Sequence, residues 1–125
     1  MKHIDVYFLL LATVLLICGA VLGIIMGAQE NFQLSPVHAH LNLAGWASLA
    51  LFGLTYRAYP QLAGNRLAGL HFIVSATGAV LLPIGIGLAV LRNQPTLAIV
   101  ASILWLLGVL LFLAQLVRLA REGSA

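Results

Sequence analysis

Ser35-Pro36-Val37-His38-Ala39-His40-Leu41-Asn42-Leu43-Ala44-Gly45-Trp46 decides how this chain reads, because it sets two imidazoles at the start of an apolar helix. Serine followed by proline is a helix start. Ser35 is expected to cap free backbone N–H groups, and Pro36 at the first helical position has no N–H to leave unpaired. His38 and His40 fall within the first turn. Residues two apart on a helix are rotated by roughly 200°, so the rings are expected to leave opposite sides of the rod and face two different spaces. They cannot easily grip one small ion together. Neutral imidazole binds metals and is a usual axial ligand of haem iron, so a cofactor on one or both sides is one reading. The other is a pair of interfacial histidines satisfied by water and lipid headgroups. Polar residues in membrane helices tend to be functional, which favours the first.

The surrounding composition is that of a membrane protein. The 125 residues are 62% hydrophobic and 7% charged, against about 25% charged in soluble domains, and the mean hydropathy is +1.09. Six Lys and Arg against three acids leave a net charge of +3, and these residues lie at or near the edges of apolar runs. A nucleic-acid surface needs a basic stripe, so nucleic acid is excluded as a partner; the charges serve headgroup anchoring and topology instead. The single cysteine, Cys18, lies inside the first apolar run. No internal disulfide can form, and its expected role is that of a small buried hydrophobe.

Four apolar runs are long enough to cross a hydrocarbon core of about 30 Å at about 1.5 Å per residue. The first, 6–27, exceeds the roughly 7 to 15 residues of a signal-peptide core and is followed by no A-x-A site, so it is read as a span. Gly19, Gly23 and Gly27 make a small-residue stripe along it, where another helix backbone can approach closely. A short polar loop carrying Glu30 leads to the second span, 36–59, which Pro60 stops. A polar linker with Gly64 and Asn65 precedes the third, 66–91. Pro83 lies inside it and frees the carbonyl of Ala79, so a kink is expected. Arg92-Asn93-Gln94-Pro95 is a tight turn into the fourth span, 95–120, and a polar tail follows. The fold class is therefore all-α, a four-transmembrane-helix bundle formed by a single domain over 1–125.

Lys2, Arg57, Arg66, Arg118 and Arg121 fall on one side of such a bundle and only Arg92 on the other. By the positive-inside rule both termini are expected to be cytoplasmic, and the histidine pair to face outward.

On a wheel of about 100° per residue, His38 shares its side with Asn42, Gly45, Leu49 and Tyr56. His40 shares the other with Ala44, Ala47, Leu51 and Leu54. The second face is smooth enough for a flat porphyrin, and the first carries an amide, Asn42, able to bond a ligand or orient a ring. Trp46 and Tyr56 read as interface anchors or packing. His71 lies near the opposite end of the bundle, roughly 20 Å from His40 in depth at about 1.5 Å per residue. One chain cannot place both on one iron, and His71 is expected to be a packing residue with Ser75 one turn away. A bis-histidine haem would need its second imidazole from another chain, so a ring of identical subunits suits histidines on two faces.

The stretch from His38 through Leu51-Phe52-Gly53-Leu54 to Tyr59-Pro60 resembles the haem-ligating segments of subunit I of haem-copper oxidases and nitric oxide reductases. It also resembles the short four-helix proteins described as cytochrome oxidase subunit I-like. In the large enzymes a helix entering from the outer side carries a low-spin haem ligand, and another carries a His-x-His pair serving two haems. The resemblance implies haem ligation by His38 and His40. It also implies a fold like one four-helix arc of subunit I, so that three copies rebuild the ring as a homotrimer. The copper cluster with its linked tyrosine has no counterpart elsewhere in this chain, and the short relatives carry a further histidine near the place held here by Ser75.

Two functional expectations follow. The first is an oligomeric haem b protein of the bacterial inner membrane, meeting a respiratory-chain redox partner for electron transfer or binding a diatomic gas; its cofactor-binding residues are His38, His40 and Asn42, with His38 and His40 on the metal. Thr13, Asn42, Ser48, Thr55, Ser75, Thr77 and Ser102 offer only a poor proton path for turnover, and whether the protein is an enzyme is left open. The second is a non-catalytic accessory, assembly or scaffold protein whose histidines bind copper or nothing. A transporter or channel is the weakest reading, since the charged residues lie at the ends of the spans and none lies deep in the membrane.

Overall fold

The computed structural model describes residues 3–122, so Lys2 of the charge count and residues 123–125 of the tail lie outside the described residues. All its regular structure there is helical: α1 (Ile4–Ala28), α2 (Ser35–His40), a π-helical segment (Leu41–Ala47), α3 (Ser48–Ala58), a 3-10 turn (Pro60–Gly64), α4 (Arg66–Arg92) and α5 (Thr96–Glu122). Three of these, α1, α4 and α5, are long and apolar enough to cross a membrane. They correspond to the expected first, third and fourth spans. The region of the second span is one continuous helical path from Ser35 to Ala58, but α-helical geometry is interrupted in its middle.

The helix ends follow local chemistry. Asn65 caps α4 by accepting from the Ala68 N–H at 2.9 Å. Asn93 closes it in the left-handed conformation at φ 55, as asparagine can at little cost. Pro83 stands inside α4, and the helix continues unbroken through it. Ser35 departs from expectation. It is the first residue of α2, and its hydroxyl donates to the carbonyl of Phe32 at 2.7 Å; no side chain caps the helix. The turn preceding α2 supplies a nearby carbonyl acceptor, and this bond takes the place of the cap.

Two close helix pairs build the molecule. Along α4 and α5, glycine permits backbone contact: a Cβ on Gly85 would lie 2.5 Å from the backbone nitrogen of Ala98, and one on Gly78 would lie 2.8 Å from that of Trp105. Along α1 and the composite helix, a Cβ on Gly53 would meet the Asp5 carbonyl at 2.9 Å, and one on Gly45 the Leu15 Cβ at 2.9 Å. Between the pairs lies an aromatic core. Phe8 packs edge-on against Phe52 and Phe72, and Phe52 meets Phe112 at 4.4 Å between ring centroids.

Both pairs share one basic end. Arg57 reaches Asp5 at 3.5 Å, and Asn65 donates to Gln115 Oε1 at 3.2 Å, so the start of α1, the end of α3, the start of α4 and the last turns of α5 converge there. Arg92 lies at the far end of α4, beside the turn into α5. The 3-10 linker is less polar in place than in sequence, because Leu62 is buried in the core. Cys18 also corrects its expected role. It is exposed on the outer face of α1, since the inward positions of that turn belong to Leu15 and Gly19.

Candidate functional site

The π segment dominates the geometry around the histidines. A π turn carries an extra residue and leaves poorer backbone bonding, so it persists where side chains or neighbours compensate, and such segments often mark functional sites. Here two side chains compensate. Asn42 Nδ2 donates to the His38 carbonyl at 2.8 Å, and Ser48 Oγ donates to the Leu43 carbonyl at 2.8 Å. Gly45 in the middle has low helix propensity and sits hard against Leu15.

His38 turns inward onto α1. Its Nδ1 lies 2.8 Å from the Gly19 carbonyl, which only accepts, so Nδ1 carries the proton and donates. The lone pair is left on Nε2, with the Asn42 amide 3.4 Å away. The glycine stripe of α1 makes this possible. A Cβ on Gly23 would stand 2.8 Å from His38 Cε1, and one on Gly19 would stand 2.7 Å from Asn42 Nδ2. Gly19 and Gly23 thus admit two side chains of the composite helix, while Gly27 has nothing within 4 Å of its would-be Cβ.

His40 is fixed differently. Its Nδ1 is 2.8 Å from the Pro36 carbonyl one turn back, so again Nδ1–H donates and Nε2 holds the lone pair. His38 bonds across to α1 while His40 bonds back to its own helix, and both are held as the same tautomer by backbone carbonyls. A backbone carbonyl fixing one imidazole nitrogen while the other stays free is the usual arrangement of a metal-ligating histidine. The wheel fails at Ala44, which is buried at 7% exposure, whereas Leu43 is 67% exposed. The extra residue of the π turn rotates the helix, so the turn after His40 exposes Leu43, and Leu51 and Leu54 are exposed further along. Among the described residues, no three of His, Cys, Asp and Glu come together as a metal-binding group.

A second polar centre lies at the basic end, built from residues far apart in sequence. His71 is fully buried, with ring centroids of Phe8 at 5.1 Å, Phe52 at 4.8 Å and Phe112 at 5.4 Å. Its Nδ1 is 2.9 Å from the hydroxyl of Tyr56, which Gln115 Nε2 also approaches at 3.3 Å. Gln115 Nε2 donates further to the Leu62 carbonyl at 3.3 Å. Sequence reasoning placed His71 as a packing residue and left Tyr56 between anchor and packing. In place they join a buried network with Gln115 and Asn65, and Gln115 was not singled out at all. A lone glutamine in the apolar run of α5 is the signal that pointed to it, since a buried amide needs partners.

Three helices long and apolar enough for a bilayer, with two histidines in the turn that precedes a π segment, define a helical membrane protein with a candidate ligand site at the head of its composite helix. Against family models, curated proteins and solved structures, the chain matches none.

Proposed function

We propose that this chain is an oligomeric haem b-binding protein of the bacterial inner membrane, a four-span bundle with both termini cytoplasmic, used in electron transfer or diatomic gas binding. The observation that carries the reading is the state of His40. Its Nδ1–H is committed to the Pro36 carbonyl, so its Nε2 lone pair is the free one, and the turn that follows exposes the apolar Leu43. That donor chemistry fits an axial ligand, and the apolar side chain fits the edge of a porphyrin.

His40 would hold the iron from the outer face, and His38, with the same tautomer and Asn42 beside it, is the second candidate ligand. A bound haem supplies one-electron chemistry, or a site for a diatomic gas where one axial position stays open. The chain's own contribution is orientation. The Pro36 and Gly19 carbonyls fix the rings. Arrangement as one arc of a homotrimeric ring rests on the resemblance to haem-copper oxidase subunit I, and the clustering of Arg57, Arg66, Arg118 and Arg121 at one end supports the orientation.

The test is the absorption spectrum of protein expressed with ample haem and purified in detergent. A Soret band is expected, lost in His40→Ala and in His38→Ala and retained in His71→Phe. A colourless wild-type protein, or a band indifferent to both His38 and His40, overturns the proposal.

A further inference from the structure

The network at the basic end leaves two polar atoms without partners, and their placement is informative. Tyr56 Oη has two neighbours, Gln115 Nε2 and His71 Nδ1. The amide nitrogen can only donate, so the phenol accepts from Gln115 and passes its own proton toward His71 Nδ1. His71 Nδ1 is the acceptor beside that phenol proton, and pairing the two makes His71 the Nε2–H tautomer, the opposite of His38 and His40. That Nε2–H is buried and unpaired. So is the hydroxyl of Ser75, which also has no exposure. Buried polar groups are nearly always hydrogen-bonded, to protein or to ordered water. Here a donor and a hydroxyl, which both donates and accepts, stand four residues apart on α4, and side chains so spaced lie on one face of a helix.

We infer that His71 Nε2 and Ser75 Oγ form an internal site for one water molecule. The water accepts from Nε2–H and exchanges a hydrogen bond with the Ser75 hydroxyl. Neither atom has a protein acceptor in reach, and the ring neighbours Phe8, Phe52 and Phe112 offer none. A larger ligand is disfavoured because α5 closes tightly on this face: a Cβ added at Gly108 would overlap the Ser75 hydroxyl. Tyr56, the partner of His71 Nδ1, also stands in the wall of a cavity of about 570 Å³ at the basic end, lined by His3, Asp5, Arg57 and Gly64. The site is independent of haem, and it gives His71 a chemical role that its aromatic packing alone does not explain.

The full chain, labelled with ¹⁵N-histidine and reconstituted in lipid bilayers, tests this by solid-state NMR with magnetisation transferred from water. His3, His38 and His40 are assigned by single replacement with glutamine, leaving His71 by elimination. A water cross-peak to the His71 Nε2–H is expected, reduced several-fold in Ser75→Ala. Absence of that cross-peak in the wild type, or of a proton on Nε2, overturns the inference. So does a cross-peak of equal strength in Ser75→Ala, and if that variant does not fold, the wild-type spectrum decides alone.

Discussion

His38 donates from Nδ1 to the carbonyl of Gly19 at 2.8 Å, and this bond exists because α1 carries no side chain at Gly19 or Gly23. Methyl groups there meet the composite helix at once. Gly23→Ala places a Cβ 2.8 Å from His38 Cε1, on a ring held in place by its bond to Gly19. It is expected to destabilise the protein by about 1–3 kcal/mol, the usual cost of overpacking. Gly27→Ala, with open space around it, is expected to be neutral or to stabilise by up to about 1 kcal/mol through helix propensity. Denaturant titration followed by circular dichroism checks the pair, and equal effects at the two positions refute the slot.

The α4–α5 contact is less forgiving. At Gly85 the obstacle is the backbone of Ala98 at 2.5 Å, which cannot swing aside as a side chain does. Gly85→Ala is expected to cost more than Gly23→Ala, toward the upper end of about 3 kcal/mol. The same unfolding measurement ranks the two.

Tyr56→Phe keeps the ring in the aromatic core and removes only the hydroxyl. His71 Nδ1 loses its partner, and Gln115 Nε2 loses one of its acceptors. A loss of about 1–3 kcal/mol is expected for a buried polar group left unpaired. Gln115→Leu in the Tyr56→Phe background is expected to cost less than in the wild type, because the two residues share a network. Additive losses, measured by thermal unfolding in detergent, speak against coupling.

The two histidines of the candidate site are expected to separate in their effect on stability. The His40 bond is local, to the carbonyl of Pro36 one turn back, and His40→Ala is expected to change stability by no more than about 0.5 kcal/mol. His38 ties the composite helix to α1, and His38→Ala is expected to cost about 1–2 kcal/mol from the lost bond and the space left beside Gly23. The reverse order refutes the assignment of His38 as the inward ring.

Local chemistry in the sequence was enough to place the long helices. Apolar runs bounded by the Glu30 loop, Asn65 and the Asn93–Pro95 turn gave α1, α4 and α5 nearly to their ends, since a helix in lipid satisfies its own backbone and is specified by length and hydropathy alone. Tertiary structure decided the rest. The π segment depends on Asn42 and Ser48 bonding nearby carbonyls and on Gly45 lying against Leu15 from another helix, so a wheel of fixed period misplaced Ala44. Cys18 faces outward because Gly19 takes the inward position, and Gly19 is inward because it accepts from His38. The centre around His71 gathers Tyr56, Asn65 and Gln115 across separations of up to 59 residues, and no local period records which buried polar groups will meet.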